Sequence, residues 1–322
     1  MLDSTGRPRR RSATSRISQV AFSFILFTAT QFSSVNGFWR LPYPLTNPGG
    51  ISQHVHAIHG GSNFNLDMDF AGARKGDCAS CKVKQDMSNY WTPYLDFHWK
   101  NGSFTSLKEP GLLVYHLQRF HESDTTEVLA FPEGMRMLAG NPYIRFQLFR
   151  TSDRMELFKG RNARNGQDSH PSLPPVNCPN GLRAEIMFSC LLGENVGLAN
   201  HISRMAYPAD INFLSSRQTR RKLTKCTRFE QNEAGRCPPT RPKRVVTIFY
   251  EIVWVVDSVK DDWENPRNTS QPFVLSTGDP LGYGYHGDFL NGWDIDVLQK
   301  AVTECTAESG VIEECPVFEL FD

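Results

Sequence analysis

No segment of this 322-residue chain is long and apolar enough to cross a bilayer as a helix, which takes about 20 residues. The apolar run at residues 20–30 has 11 residues and no second long run follows it, which excludes a polytopic membrane protein. No hydrophobic tail follows Phe321, so a C-terminal lipid anchor is not expected. Charge of one sign is lacking too. The formal net charge is +1, from 35 Lys+Arg and 34 Asp+Glu. Residues 1–37 hold five arginines and one aspartate, and the remainder carries 30 basic and 33 acidic residues, a net of −3. A body this close to neutral does not point to nucleic acid as partner. There is no GxSxG elbow, no HExxH, no P-loop and no GxGxxG in a βαβ setting, which removes the common serine hydrolases, the zincins and nucleotide enzymes. No internal repeat is present.

What is present begins with a basic stretch, Arg7 to Arg16, followed by the apolar run and the small residues Val35, Asn36 and Gly37. That order reads as a secretory signal peptide over residues 1–37, with an uncleaved signal anchor as the alternative. The expected product is one secreted domain, residues 38–322, extracellular or in the cell wall, and a monomer. Eight cysteines, an even count, favour disulfides in that compartment. Their 105 pairings leave connectivity open. Cys305 with Cys315 is the best local pair, and Cys78 with Cys81 can close a tight bridge. Zinc is the rival at Cys78-Ala-Ser-Cys81, but a second CxxC is missing. Asn101-Gly-Ser103 and Asn268-Thr-Ser270 are glycosylation sequons.

Short apolar or alternating runs at residues 112–117, 144–149, 184–188, 245–256 and 273–276 are separated by Gly, Pro, Asn and Asp. Residues 245–256, rich in β-branched and aromatic side chains, read as one long strand. Ile295, Leu298, Ala301 and Val302 fall at helical spacing, with Asp294 as N-cap. The pattern predicts a mostly β single domain, sandwich or jelly-roll-like, with a few short helices and long loops. Residues 160–175 and 217–244 read as surface insertions. The second holds ten basic residues against Glu230 and Glu233, which suits either an anionic wall polymer or a plain solvated loop.

Three clusters carry chemistry. Residues 278–294 pack five glycines, four aromatics, three aspartates and His286 into seventeen positions. His54-Val55-His56 puts two imidazoles on one face of an extended chain, half of a metal site, just before His59, Gly60 and Gly61. The two segments are expected to meet in one polar-aromatic cleft, where His54, His56, His286 and Asp288 can ligate a divalent metal through N and O donors. Metal binding there should weaken below about pH 6.5, the ordinary imidazole range. Asp279, Asp288 and His286 are the catalytic candidates, and Asp279 with Asp288 suits a glycoside hydrolase if correctly separated. The third cluster is Asp86 to Leu95, where either Tyr90 or Trp91 can face a groove as a platform for a sugar ring. Trp293 and His201, the latter beside Met205-Ala206-Tyr207-Pro208, complete the ligand-binding candidates.

These clusters, in this order, resemble a secreted, mainly fungal family known as domain of unknown function nineteen-ninety-six, often found beside WSC carbohydrate-binding modules. The resemblance runs from about Phe38 to Cys305. It is carried by Phe38-Trp39-Arg40, Ser52 to His56 with Gly60-Gly61-Ser62, Cys78 to Cys81, Asp86 to Pro93, Phe131 to Gly140, His201 to Pro208, and residues 278–301. It implies an extracellular or wall-associated protein that binds or acts on polysaccharide. A non-catalytic structural or surface protein is the alternative. This chain departs from the family pattern at Cys190-Leu191-Leu192-Gly193, where Cys-Trp-Asp-Gly is usual. It departs again at Asn200-His201 with Arg204, and at Arg241-Pro242 in place of His-Pro.

Overall fold

The structure is a computed structural model. It describes residues 20–27, 52–65, 67–118, 127–146, 156–160, 169–170, 172–174, 178, 181–189, 191–193, 205–206, 241–259, 261–262, 271–307 and 309–321. The architecture follows from the alternation in Thr247–Trp254. Ile248, Tyr250, Ile252 and Trp254 are wholly buried on one face, while Phe249, Glu251 and Val253 are partly covered on the other. A strand with one such face sits centrally in an antiparallel sheet and lays that face on a core. Its sheet has six strands, in spatial order Val20–Phe27, Gly111–Gln118, Thr247–Trp254, Leu182–Met187, Glu156–Gly160 and Ser169–His170.

A four-stranded antiparallel sheet lies across the core from it: His56–Gly60, Asn89–Pro93, His286–Leu290 and Arg136–Gly140. Tyr90, Met137, Ala139 and Phe289 from this sheet share one cluster with Leu112, Val114, Ala184, Ile186, Tyr250 and Trp254 from the other. The Tyr250 hydroxyl donates to the Asp288 carbonyl at 2.7 Å and ties the sheets together. Phe273–Leu275, Leu95–His98 and Phe104–Ser106 form a third sheet. Lys243–Val245, paired in parallel with Val128–Leu129, belongs to a fourth. The chain is therefore mostly β, as the sequence predicts. The helix Ile295–Glu304 buries Leu298, Ala301 and Val302, and the Asp294 carboxylate caps it by accepting from the Val297 amide at 3.2 Å. Cys305 and Cys315 are bonded and close the tail after it. No described helix is long and apolar enough to cross a membrane.

Several local expectations change. The run 245–256 is two strands, because Val246 donates to the Leu129 carbonyl and the chain passes from one sheet to another there. Residues 160–175 are not wholly a surface insertion. Ser169–His170 pairs with Glu156–Gly160, and Leu173 is buried, its amide donating to the Leu281 carbonyl at 2.8 Å. In the basic stretch, residues 217–240 lie outside the described residues, while Arg244 is buried in a strand. Cys78 and Cys81 form no bridge: Cys78 is exposed and Cys81 is buried. The apolar run expected as a leader forms the outer strand Val20–Phe27, in register along Gly111–Gln118. Cleavage near Gly37 would leave Gly111–Gln118 at that sheet edge. Cys190, Cys226, Cys237, Asn268 and His201 lie outside the described residues.

Candidate metal centre

The site is built by strand register. His56 pairs with Pro93, and Asp288 pairs with Trp91 on the other side of the same central strand. Continuing that register by two residues sets His286 opposite Pro93 as well. His56 and His286 thus flank one proline on the same face of the sheet. Asp288, two residues further along, shares that face because the side-chain period of a strand is two. His54 lies just before its strand begins, yet the same alternation directs its ring to the group. Its segment is anchored where the Val55 carbonyl accepts from the Ser276 hydroxyl at 2.6 Å.

The His54 Nε2 lies 3.1 Å from the His286 Nε2, and the His56 Nε2 lies 3.2 Å from it. The ligating nitrogens of all three fall within 4.8 Å of one another. A tetrahedral ion with metal–nitrogen bonds of about 2.0–2.1 Å has ligand atoms about 3.3 Å apart, so two of these spacings match a coordination shell. The Asp288 Oδ2 sits 3.6 Å from the His286 Nε2 and 3.9 Å from the His56 Nε2. Both Asp288 oxygens are buried and neither has a hydrogen-bond donor. The His286 Nδ1 donates to the Gly284 carbonyl at 2.8 Å, which leaves the Nε2 lone pair pointing into the group. Gly284 is itself fixed. Asp279 accepts from its amide at 2.6 Å and from the Leu281 amide at 2.8 Å.

The electrostatics keep the imidazoles neutral. Burial, then the charge of Arg145, lowers the His54 pKa to about 4. Burial, then His54, lowers that of His286 to about 3, and burial with the neighbouring rings pushes His56 the same way. Burial raises the Asp288 carboxyl well above the usual carboxylate range. Neutral imidazole is the form that binds a metal, so the three ring nitrogens are ready at neutral pH. His54 is the partly exposed member of the group, while His56, His286 and Asp288 are buried.

The structure brings His54, His56, His286 and Asp288 together, and among the described residues the other candidates take other roles. Asp279 is a loop fastener whose oxygens accept from two amides. Tyr90, Trp91 and Trp293 are fully buried and offer no ring platform. The reason is that both faces of the central strand are covered. Tyr90 enters the main core, and its hydroxyl donates to Asp86 at 2.7 Å. Trp91 enters a second small core with Met68, Ala73 and Leu290. His59, on the opposite face from His56, bonds Glu109 at 2.6 Å. The glycines serve packing more than ligand approach. A Cβ at Gly60 would meet the Ser88 carbonyl oxygen at 1.9 Å, and one at Gly292 would meet that of Met87 at 2.4 Å. Two residues escape a reading of the sequence: Gly284, which acts through its carbonyl, and Arg145. Arg145 donates to the carbonyls of Pro142, Ile144 and Thr277, and it stands in no local motif.

Comparison with curated proteins and with solved structures finds no match. The family described as "Domain of unknown function (DUF1996)" matches residues 43–293, which takes in every member of the histidine group. The chain belongs to that family.

Proposed function

We propose that this is a secreted protein whose three histidines and Asp288 hold one divalent transition-metal ion, and that the ion engages extracellular polysaccharide. The observation that carries the metal is the convergence of three imidazole nitrogens beside a buried carboxylate that no hydrogen bond satisfies. Leaving such a group unsatisfied costs about 1–3 kcal/mol or more. A cation removes that cost and completes the lone pairs of all three rings. An imidazole-rich set with one carboxylate suits zinc and its first-row neighbours better than calcium or magnesium.

The polysaccharide reading rests on the secretory leader and on the family resemblance. Its chemistry has to run through the ion and polar groups, because the aromatic candidates are buried. Sugar hydroxyls are oxygen donors that can take an open coordination position. An ion of the zinc type, held by the three imidazoles and Asp288 with a fifth position open, would lower the pKa of a bound water to about 7 and so would supply the nucleophile for hydrolysis. Non-catalytic anchoring uses the same coordination without turnover.

The test is calorimetric titration of the metal-free protein with Zn²⁺, alongside His56→Ala and Asp288→Ala variants checked for folding by circular dichroism. One ion per chain is expected for the parent, with strong losses in both variants. Undiminished affinity in folded His56→Ala would sink the centre. Co-sedimentation with chitin and β-glucan particles, with and without EDTA, tests the second half. Retention indifferent to the chelator removes the ion from glycan recognition.

A further inference from the structure

The hairpin Leu95–His98 to Phe104–Ser106 turns through Trp99-Lys100-Asn101-Gly102-Ser103. The Trp99 amide donates to the Ser103 carbonyl at 2.9 Å, and the Gly102 amide donates to the Trp99 carbonyl at 2.9 Å. Gly102 has φ of +85°, the left-handed residue that closes a three-residue hairpin loop with a bulge. Asn101 sits at the tip and is exposed. Its Oδ1 accepts from the Ser103 amide at 2.9 Å and from the Ser103 hydroxyl at 2.7 Å. Those two bonds fix the carboxamide through its oxygen and leave Nδ2 without a partner, facing solvent. Trp99, two residues earlier, is only partly buried. Its ring packs edgewise on Phe97 with centroids 4.8 Å apart, and its Nε1 donates to the Thr105 hydroxyl at 2.8 Å. An indole fixed by a ring contact and a hydrogen bond, two residues before an exposed Asn, offers a preorganised apolar surface within reach of whatever that Asn carries.

We propose that Asn101 carries an N-linked glycan whose first N-acetylglucosamine lies on the exposed part of the Trp99 indole. Asn-Gly-Ser meets the acceptor pattern. In the transfer, the Asn101 Nδ2 forms a bond to C1 of the sugar of a lipid-linked oligosaccharide. The bond from C1 to the lipid pyrophosphate breaks, and one Nδ2 proton leaves to a base of the transferase. In the folded protein the Oδ1 keeps its two bonds, so the sugar inherits a fixed direction. The apolar face of the sugar ring then covers indole that is otherwise open to water. The glycan is thereby part of the hairpin rather than an appendage on it. The proposal shares the secretory route of the proposed function and is independent of the metal.

The experiment is expression of the full chain in a eukaryotic secretory host, with peptide mapping by mass spectrometry. Occupancy of Asn101 is expected, and it disappears in Asn101→Asp, which retains the turn's oxygen acceptor. A secreted chain with bare Asn101 overturns this proposal alone. A chain retained in the cell without glycan overturns it together with the secretory reading. Thermal melting of four forms then tests the stacking: parent and Trp99→Ala, each with and without the glycan at Asn101. Trp99→Ala should lower the melting temperature in both backgrounds, with an excess of about 2 °C when the glycan is present, the scale of one modest contact in a chain of this size. An equal loss in both backgrounds overturns the stacking.

Discussion

Acidification should weaken metal binding through one proton, and that proton belongs to Asp288. The imidazoles do not compete near neutral pH, because burial holds His54 at about 4 and His286 at about 3, and moves His56 in the same direction. Asp288 moves the other way. Its burial favours the neutral acid, so in the metal-free site it keeps its proton at a pH where an exposed aspartate has lost it. The sign follows: the ion needs the carboxylate, a lower pH favours the protonated metal-free form, and affinity falls as pH falls. Displacing one proton per ion gives about a tenfold loss per pH unit wherever the metal-free site holds that proton. Three imidazoles at their ordinary values would instead give about a thousandfold per unit once the pH drops below about 6.5. This replaces the simpler expectation that binding fails in the ordinary imidazole range. Calorimetry with Zn²⁺ between pH 5 and 7, in two buffers of different ionisation enthalpy, counts the released proton directly. Asp288→Asn should bind more weakly at pH 7 and lose the slope. A slope of two or more protons in the parent, or an unchanged slope in Asp288→Asn, refutes the reasoning.

Other consequences are open to measurement. Asp279→Ala frees the amides of Gly284 and Leu281 and loosens the carbonyl that orients His286; Zn²⁺ affinity should drop about 10–100-fold, the usual effect of losing an outer partner of a ligand. Gly287→Ala places a Cβ 3.0 Å from the Tyr250 ring and 3.1 Å from that of Phe188, so these two buried rings between the sheets have to give way. Urea unfolding should show a loss of about 1–3 kcal/mol. Zn²⁺ at a hundredfold excess over its dissociation constant should stabilise the parent by about 2.7 kcal/mol in the same assay, and His56→Ala should show no such gain. N-terminal sequencing of secreted protein should begin near Phe38; a mature chain that retains residues 20–27 overturns the leader reading.

The elements legible in the sequence are those set by near neighbours along the chain. The helix Ile295–Glu304 with its Asp294 cap, the alternating strand Thr247–Trp254 and the Cys305–Cys315 bond each depend on contacts or periods spanning a few residues. The HxH pair was visible for the same reason, since a period of two puts both rings on one side wherever the strand ends up. Tertiary structure decided the rest. Nothing local to Tyr90-Trp91 tells that both faces of their strand are covered, one by the opposing sheet and one by the segment around Met68 and Ala73. That cover turned two expected platform rings into core. The use of Asp279 was equally hidden, because its partners are backbone amides, which no side-chain pattern reveals. The meeting of His56 with His286 spans 230 residues and exists only because Pro93 lies between their strands in register. The sequence by itself thus determined a mostly β chain and the identity of the donor side chains. Only the packing of strand on strand decided that four of those donors face one point, because the free energy that fixes their register comes from burying both sheet faces and not from the donors themselves.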